Sequence, residues 1–262
     1  MKKLKQVLER TLCNLQRKKP LVHCITNTVT INDCANILLA LGASPTMAHH
    51  PLEVAEVTSG CDSFVVNLGA TDDYKAILIA AKTAGNLGHP IIVDPVGVSG
   101  SSFRRDFFWE LAKTAPLSCV RGNASEIWAL AQNCNTISGV DASSELSQED
   151  LSIIHQHGES LSKKLGCIVV TSGKTDDITD GSIHYSITQG DPMMRRVTGT
   201  GCMSTAVLGA MLAIDPSIDS VAAGCLLMGL SAEHAIHVAH TPMAYREALI
   251  DEIYKEGCRF CE

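Results

Sequence analysis

The residues best suited to chemistry form a glycine-rich pentapeptide, Thr198-Gly199-Thr200-Gly201-Cys202, preceded by Arg195 and Arg196. An apolar run of small residues without proline or charge follows it, as expected of a buried helix fed by the loop. Glycines let a backbone turn tightly and aim its N–H groups outward. The first N–H groups of a helix lack internal partners, and the helix dipole adds about half a positive charge there. An oxyanion or a transferring phosphoryl group would fit such a place. The same loop also reads as a tight turn into a packed helix.

Other polar residues stand where apolar runs stop. Asp94 ends Ile91-Ile92-Val93 and is followed by Pro95. A carboxylate there suits a magnesium ion or a base, or caps the next turn. Arg121 could meet phosphate. Asn123 and Glu126 have the spacing of a capping box, a structural alternative to a metal role for Glu126. Thr171 closes another apolar run, and Asn27 lies in a polar loop after the first. His49 and His50 are adjacent, which suits solvent exposure better than one shared metal. Neither a Walker A motif nor GxGxxG is present, which removes the main support for P-loop and Rossmann readings.

These groups need a frame. Helical spacing covers 1–18, 31–41, 52–57, 74–87, 104–114, 151–165, 221–240 and 243–254. Strands are expected at 21–25, 43–47, 64–69, 90–97, 117–121 and 167–171, and Asp180-Gly181 marks a hairpin over 176–186. The polar residues 133–148 read as a surface excursion. Alternating strands and helices imply an α/β fold, a doubly wound and mainly parallel sheet with a short antiparallel edge hairpin. No linker or repeat interrupts it, so 1–262 is expected to be a single domain. In a parallel sheet the strand ends share one edge, where open α/β sheets bind ligands. Carboxylates, an arginine and an anion cradle at one edge are what phosphoryl transfer requires.

Composition narrows the classes. The 262 residues carry a net charge of −7 and 45% hydrophobic residues, with 4% aromatics. A core is available, and a nucleic-acid surface is disfavoured. The N-terminal lysines precede no apolar h-region, so no signal peptide is expected. No uncharged apolar run reaches transmembrane length. Eleven cysteines, an odd number mostly in apolar runs, suit buried thiols in a reducing cytoplasm. Cys258 and Cys261 alone are a weak zinc signal.

The motifs HCITN (23–27), VDPVG (93–97), RGNASEI (121–127), VVTSGK (169–174) and VTGTGC (197–202) occur in this order. Together they resemble the hydroxyethylthiazole kinase family of the ribokinase-like superfamily, over nearly the whole chain. The resemblance implies ATP- and Mg²⁺-dependent phosphorylation of 4-methyl-5-(2-hydroxyethyl)thiazole in thiamine biosynthesis or salvage. It implies a cytoplasmic homotrimer with active sites at subunit contacts. Asn27, Met47 and Gly199 would meet the thiazole, Arg121 and Thr171 the ATP phosphates, and Asp94 and Glu126 would organise Mg²⁺. Gly199, Thr200, Gly201 and Cys202 would form the catalytic loop, their amides stabilising the phosphoryl group. Cys202 replaces the aspartate usual in the superfamily. A thiol at a helix N-terminus can have a lowered pKa and accept the alcohol proton, or it can simply fill space.

Three alternatives remain. One is a kinase of the same superfamily acting on another alcohol, such as a hydroxymethylpyrimidine or a sugar. Another is a Cys202-dependent hydrolase, which needs a histidine within reach of the thiol. The third is a non-catalytic sensor, which has no need of the metal-linked acids.

Overall fold

The computed structural model describes residues 2–134 and 148–259. The expected excursion at 133–148 lies, apart from its end residues, outside them, as does Cys261. In chain order the elements are α1 (Lys2–Lys18), β1 (Leu21–Ile25), α2 (Ile31–Leu41), β2 (Ser44–Thr46), α3 (Val54–Ser59), β3 (Ser63–Asn67), α4 (Tyr74–Leu87), β4 (Ile91–Asp94), α5 (Ser102–Thr114), β5 (Cys119–Asn123) and α6 (Ala124–Gln132). Then come α7 (Gln148–Leu165), β6 (Ile168–Ser172), β7 (Asp176–Thr179), β8 (His184–Ile187), α8 (Thr200–Ile214), α9 (Ile218–Val238) and α10 (Pro242–Cys258).

The eight strands form one sheet in the order β2-β1-β3-β4-β5-β6-β7-β8. The pairs from β2 to β6 are parallel, and β6–β7 and β7–β8 are antiparallel. Strand order reverses between β1 and β3, opening a crevice beyond their carboxyl ends. The antiparallel edge follows from the Asp180-Gly181 turn, where Gly181 takes φ +87° and Asp180 Oδ1 accepts from the Ser182 and Ile183 amides.

Side chains alternate across the sheet with the strand period of two. Val22, Cys24 and Val65 join a core with α1, α2, α8, α9 and α10. Ile25, Phe64 and Val66 face the opposite core with α4 and α5. His23 is wholly buried in β1; its Nδ1 bonds Thr58 Oγ1 at 2.9 Å and its Nε2 bonds the Ala48 carbonyl at 2.7 Å. Burial lowers its pKa, so this member of HCITN is a neutral structural histidine.

Helix α8 is buried from Met203 to Leu212, as a helix apolar on all sides must be. Gly209 brings it onto the sheet: a methyl group there would stand 2.3 Å from Val65 Cγ2. Helix α9 is long and apolar enough to cross a membrane, but 67% of its apolar window is buried, and it packs against α1, α8 and α10. It is a core helix.

Local signals place most boundaries. Gly42 and Gly88 close α2 and α4 in left-handed conformation, at φ +95° and +71°. Helix α3 runs 54–59 instead of 52–57, because the turn over residues 51–53 comes first. Helix α5 starts two residues earlier than expected, since the Ser101 side chain caps the Arg104 amide.

Candidate active site

The carboxyl ends of β4, β5 and β6 open on a cavity with a volume of about 1170 Å³. Asp94, Arg121, Glu126, Thr171 and Gly199 to Cys202 all line it. Asn27 and Met47 do not. Asn27 sits beneath it at the β1–β3 switch point, reaching it through Cys202. Met47 follows β2 and is half-buried against the apolar core. His49 and His50 are exposed, as their adjacency suggested.

Helix α8 begins at Gly199, whose φ of +90° favours glycine. A Cβ there would also stand 2.8 Å from Thr30 Cγ2. No side chain caps this helix. The Thr200 hydroxyl turns away and donates to the Met194 carbonyl at 3.0 Å. Arg121 lies over the loop, for a Cβ on Gly201 would stand 2.8 Å from its Nη1. The geometry therefore joins the two positive features expected to hold phosphate.

Helix α6 starts differently. The Asn123 side chain accepts from the Glu126 amide at 2.9 Å, and Glu126 Oε2 accepts from the Asn123 amide at 2.9 Å. Glu126 Oε1 accepts from the Gly97 amide at 2.9 Å, tying the VDPVG loop to the helix. The structural reading of Glu126 thus holds in full.

Asp94 is 3% exposed at the end of β4. Its Oδ2 accepts from Asn67 Nδ2 at 2.9 Å and Thr205 Oγ1 at 3.4 Å. Burial pushes the carboxyl up to about 7; nearby Arg121 pulls it down, Glu126 pushes it further up, and hydrogen bonds from Cys202 and Asn67 lower it. Two carboxylates in a dry site form an oxygen donor set that suits a hard cation. Asp176, also at the cavity, is raised by burial and pulled back by Arg121.

Asn67 was missed by sequence reasoning. Its Nδ2 also reaches Cys202 Sγ at 3.2 Å, and its Oδ1 accepts from Asn27 Nδ2 at 3.2 Å. An amide ending a buried strand just before a glycine turn was the available signal. Asn27 Nδ2 reaches Cys202 Sγ at 3.5 Å. The thiol is thus held between two asparagines. Burial and the Asp94 charge push its pKa up to about 11, against hydrogen bonds from Thr30 and Asn27 and the charge of Arg121. Of the two readings of Cys202, a lowered thiol or a residue that fills space, this burial favours the second. Among the described residues the side chains bonded to Cys202 Sγ include the amides of Asn27 and Asn67, and no histidine is bonded to it.

The sheet order, the uncapped glycine loop and the carboxylates at the strand ends define a ribokinase-like protein. A ribokinase-like superfamily protein from Enterococcus faecalis V583 superposes with a TM-score of 0.64 at 15% identity, covering 96% of this chain and 94% of that one, a likeness of fold. The hydroxyethylthiazole kinase family model matches residues 12–256. A hydroxyethylthiazole kinase of Methanocorpusculum labreanum is 36% identical over 255 residues, 97% of this chain and 93% of that protein. The hydroxyethylthiazole kinase structure from Pyrococcus horikoshii OT3 superposes with a TM-score of 0.86 at 30% identity, covering 99% and 96% of the two chains. The chain belongs to the hydroxyethylthiazole kinase family, and its activity is phosphorylation of that thiazole alcohol.

Proposed function

We propose that the chain, acting as one domain over 1–262, transfers the γ-phosphoryl group of ATP to the hydroxyl of 4-methyl-5-(2-hydroxyethyl)thiazole, with Mg²⁺, in thiamine biosynthesis or salvage. The observation that carries the residue roles is the placement of Arg121 directly over Gly201 at the uncapped start of α8. Arg121 meets the phosphates. The Thr171 hydroxyl is buried with no protein hydrogen-bond partner and supplies a further donor. The amides of Gly199, Thr200, Gly201 and Cys202 hold the charge that spreads over the phosphoryl oxygens in a loose transition state.

Asp94 and Glu126 would hold Mg²⁺, partly through water. When bound, the ion neutralises phosphate charge. Asn27 and Asn67 orient the acceptor at the switch point, beside Gly199. Cys202, protonated, hydrogen-bonds Asp94 and fills the space between the two asparagines; it is not the thiolate base.

Met47 lies outside the cavity, which favours an acceptor site completed by a neighbouring copy, as in a homotrimer. Ten cysteines in the described residues are unpaired, consistent with a reducing cytoplasm. The test is ATP consumption with the thiazole alcohol, with and without Mg²⁺. Magnesium-dependent formation of the thiazole phosphate is expected. Turnover of a hydroxymethylpyrimidine but not the thiazole would overturn the substrate assignment.

A further inference from the structure

Two histidines and an aspartate gather at the cavity, on other elements than Asp94 and Glu126. His155 comes from α7, Asp177 from β7 and His184 from β8. His155 Nδ1 is 3.4 Å from Asp177 Oδ1, and His184 Nε2 is 2.5 Å from Asp177 Oδ2. One ligand atom from each of the three lies within 4.8 Å of the others. The two imidazole rings meet edge to face with centroids 4.2 Å apart. All three residues line the cavity, so one direction of approach stays open.

From this geometry we infer a second cation site, His155–Asp177–His184, that binds a divalent transition metal of the zinc class. The donor set is two imidazoles and one carboxylate, which suits zinc, cobalt or nickel; magnesium prefers oxygen ligands alone. With metal–ligand bonds of about 2.0–2.1 Å, tetrahedral ligand atoms stand about 3.3 Å apart. His155 meets Asp177 Oδ1 and His184 meets Oδ2, so the carboxylate must turn to offer one oxygen to a shared ion, and the His184 contact must open by less than about 1 Å; His184, 38% exposed, has room to shift.

A further feature supports the site: the outer nitrogen of His155 faces a carboxylate, with Nε2 3.9 Å from Glu159 Oε2, one helical turn on. A carboxylate behind a ligating imidazole fixes its tautomer and raises its basicity. Lys163 pairs with Glu159 and holds it in place.

A metal at this site ties α7 to the β7–β8 hairpin. Helix α7 supplies Leu151, Ser152 and Ile154 to the cavity wall, so the tie stiffens that wall. The open fourth position takes water or a phosphate oxygen from the cavity.

The test is titration of tag-free protein with Co²⁺ alone, read by visible absorption and by thermal denaturation. The eleven cysteines make the spectrum decisive, because thiolate ligands give intense charge-transfer bands that imidazole and carboxylate do not. One equivalent with weak ligand-field bands is expected, together with a raised Tm. His155→Gln and His184→Gln, both at partly exposed positions, should each weaken binding by about tenfold or more, and Glu159→Gln by less. Unchanged affinity in both histidine variants, a thiolate spectrum, or only millimolar binding would each overturn the site. None of these readouts involves phosphoryl transfer, so the outcome is independent of the kinase assignment.

Discussion

Helices α6 and α8 begin at the same cavity and solve the same problem in opposite ways. The first amides of α6 are closed by a reciprocal capping box, Asn123 with Glu126. The first turn of α8 has no side-chain cap, and the one hydroxyl that could serve, Thr200, is turned back onto carbonyls. Capping an N-terminus typically contributes about 1 kcal/mol. The chain takes that stabilisation at α6, where the box also fixes a carboxylate at the cavity rim. It forgoes it at α8, where the free amides and Arg121 leave positive potential for a ligand. One helix start is closed by side chains and the other is left open.

The strongest way to break this contrast is Arg121→Ala. It should lower kcat/KM by about 10²- to 10³-fold, the effect of losing one charge-stabilising donor, in steady-state assays with the thiazole alcohol. Activity within tenfold of wild type would remove Arg121 from the phosphate site. Next is Gly199→Ala, which forces a side chain into left-handed backbone and towards Thr30. Displacing the loop by about 1 Å should cost roughly 10²-fold in turnover. A fully active Gly199→Ala enzyme would show that the loop geometry tolerates a side chain.

The third prediction concerns the carboxylate between the two helices. In the unliganded fold burial raises Asp94 from its ordinary value of 3.8 to about 7. Below pH 3.8 it is protonated whether folded or unfolded. Between 3.8 and 7 the unfolded chain ionises first, so the wild type loses stability as pH rises, and above 7 the loss is complete. Asp94→Asn stays neutral, so without Mg²⁺ its Tm should exceed wild type at pH 8, and the gain should vanish towards pH 4. A gain independent of pH would reject the burial argument.

A smaller effect is expected at α6. Asn123→Ala should cost about 1 kcal/mol, lowering Tm by roughly 2–4 °C. No change in Tm would mean that the box contributes nothing. The smallest effect is expected from Cys202→Asp, which should retain or raise activity, because a neutral thiol contributes little to proton transfer. Abolished activity in folded Cys202→Asp protein would restore a catalytic role for the sulfur.

Much of this was written locally. β1, α2 and α4 match their expected ranges, because Pro20, Gly42 and Gly88 are short-range stop signals. The capping box could be read from Asn123 and Glu126 alone, and the hairpin from Asp180-Gly181. The family motifs already group Asp94, Arg121, Glu126 and the glycine loop, and all of them line one cavity. Properties that depend on distant neighbours were not legible. Asn67 matters because β3 pairs with β4 in a register that sets it opposite Asp94. The thiol of Cys202 is raised by burial among Asn27, Asn67 and Asp94, which come from three separate strand ends. His155, Asp177 and His184 meet only because α7 folds back over an antiparallel edge. Met47, which motif matching names, stands outside the cavity lining of one chain; its role at the thiazole rests on the proposed contact between copies.

The close seat of α8 on the sheet has a mechanical consequence. Gly209 touches Val65 without room for a methyl group, ten residues along the helix from Gly199. At about 1.5 Å per residue that is an arm of roughly 15 Å. The helix is a beam clamped along its middle, with the glycine loop at one end. A bulkier residue at 209 would have to lift the beam from the sheet, and the lift would be felt at the loop amides, so the position of the loop is set partly where helix meets sheet, well away from the cavity.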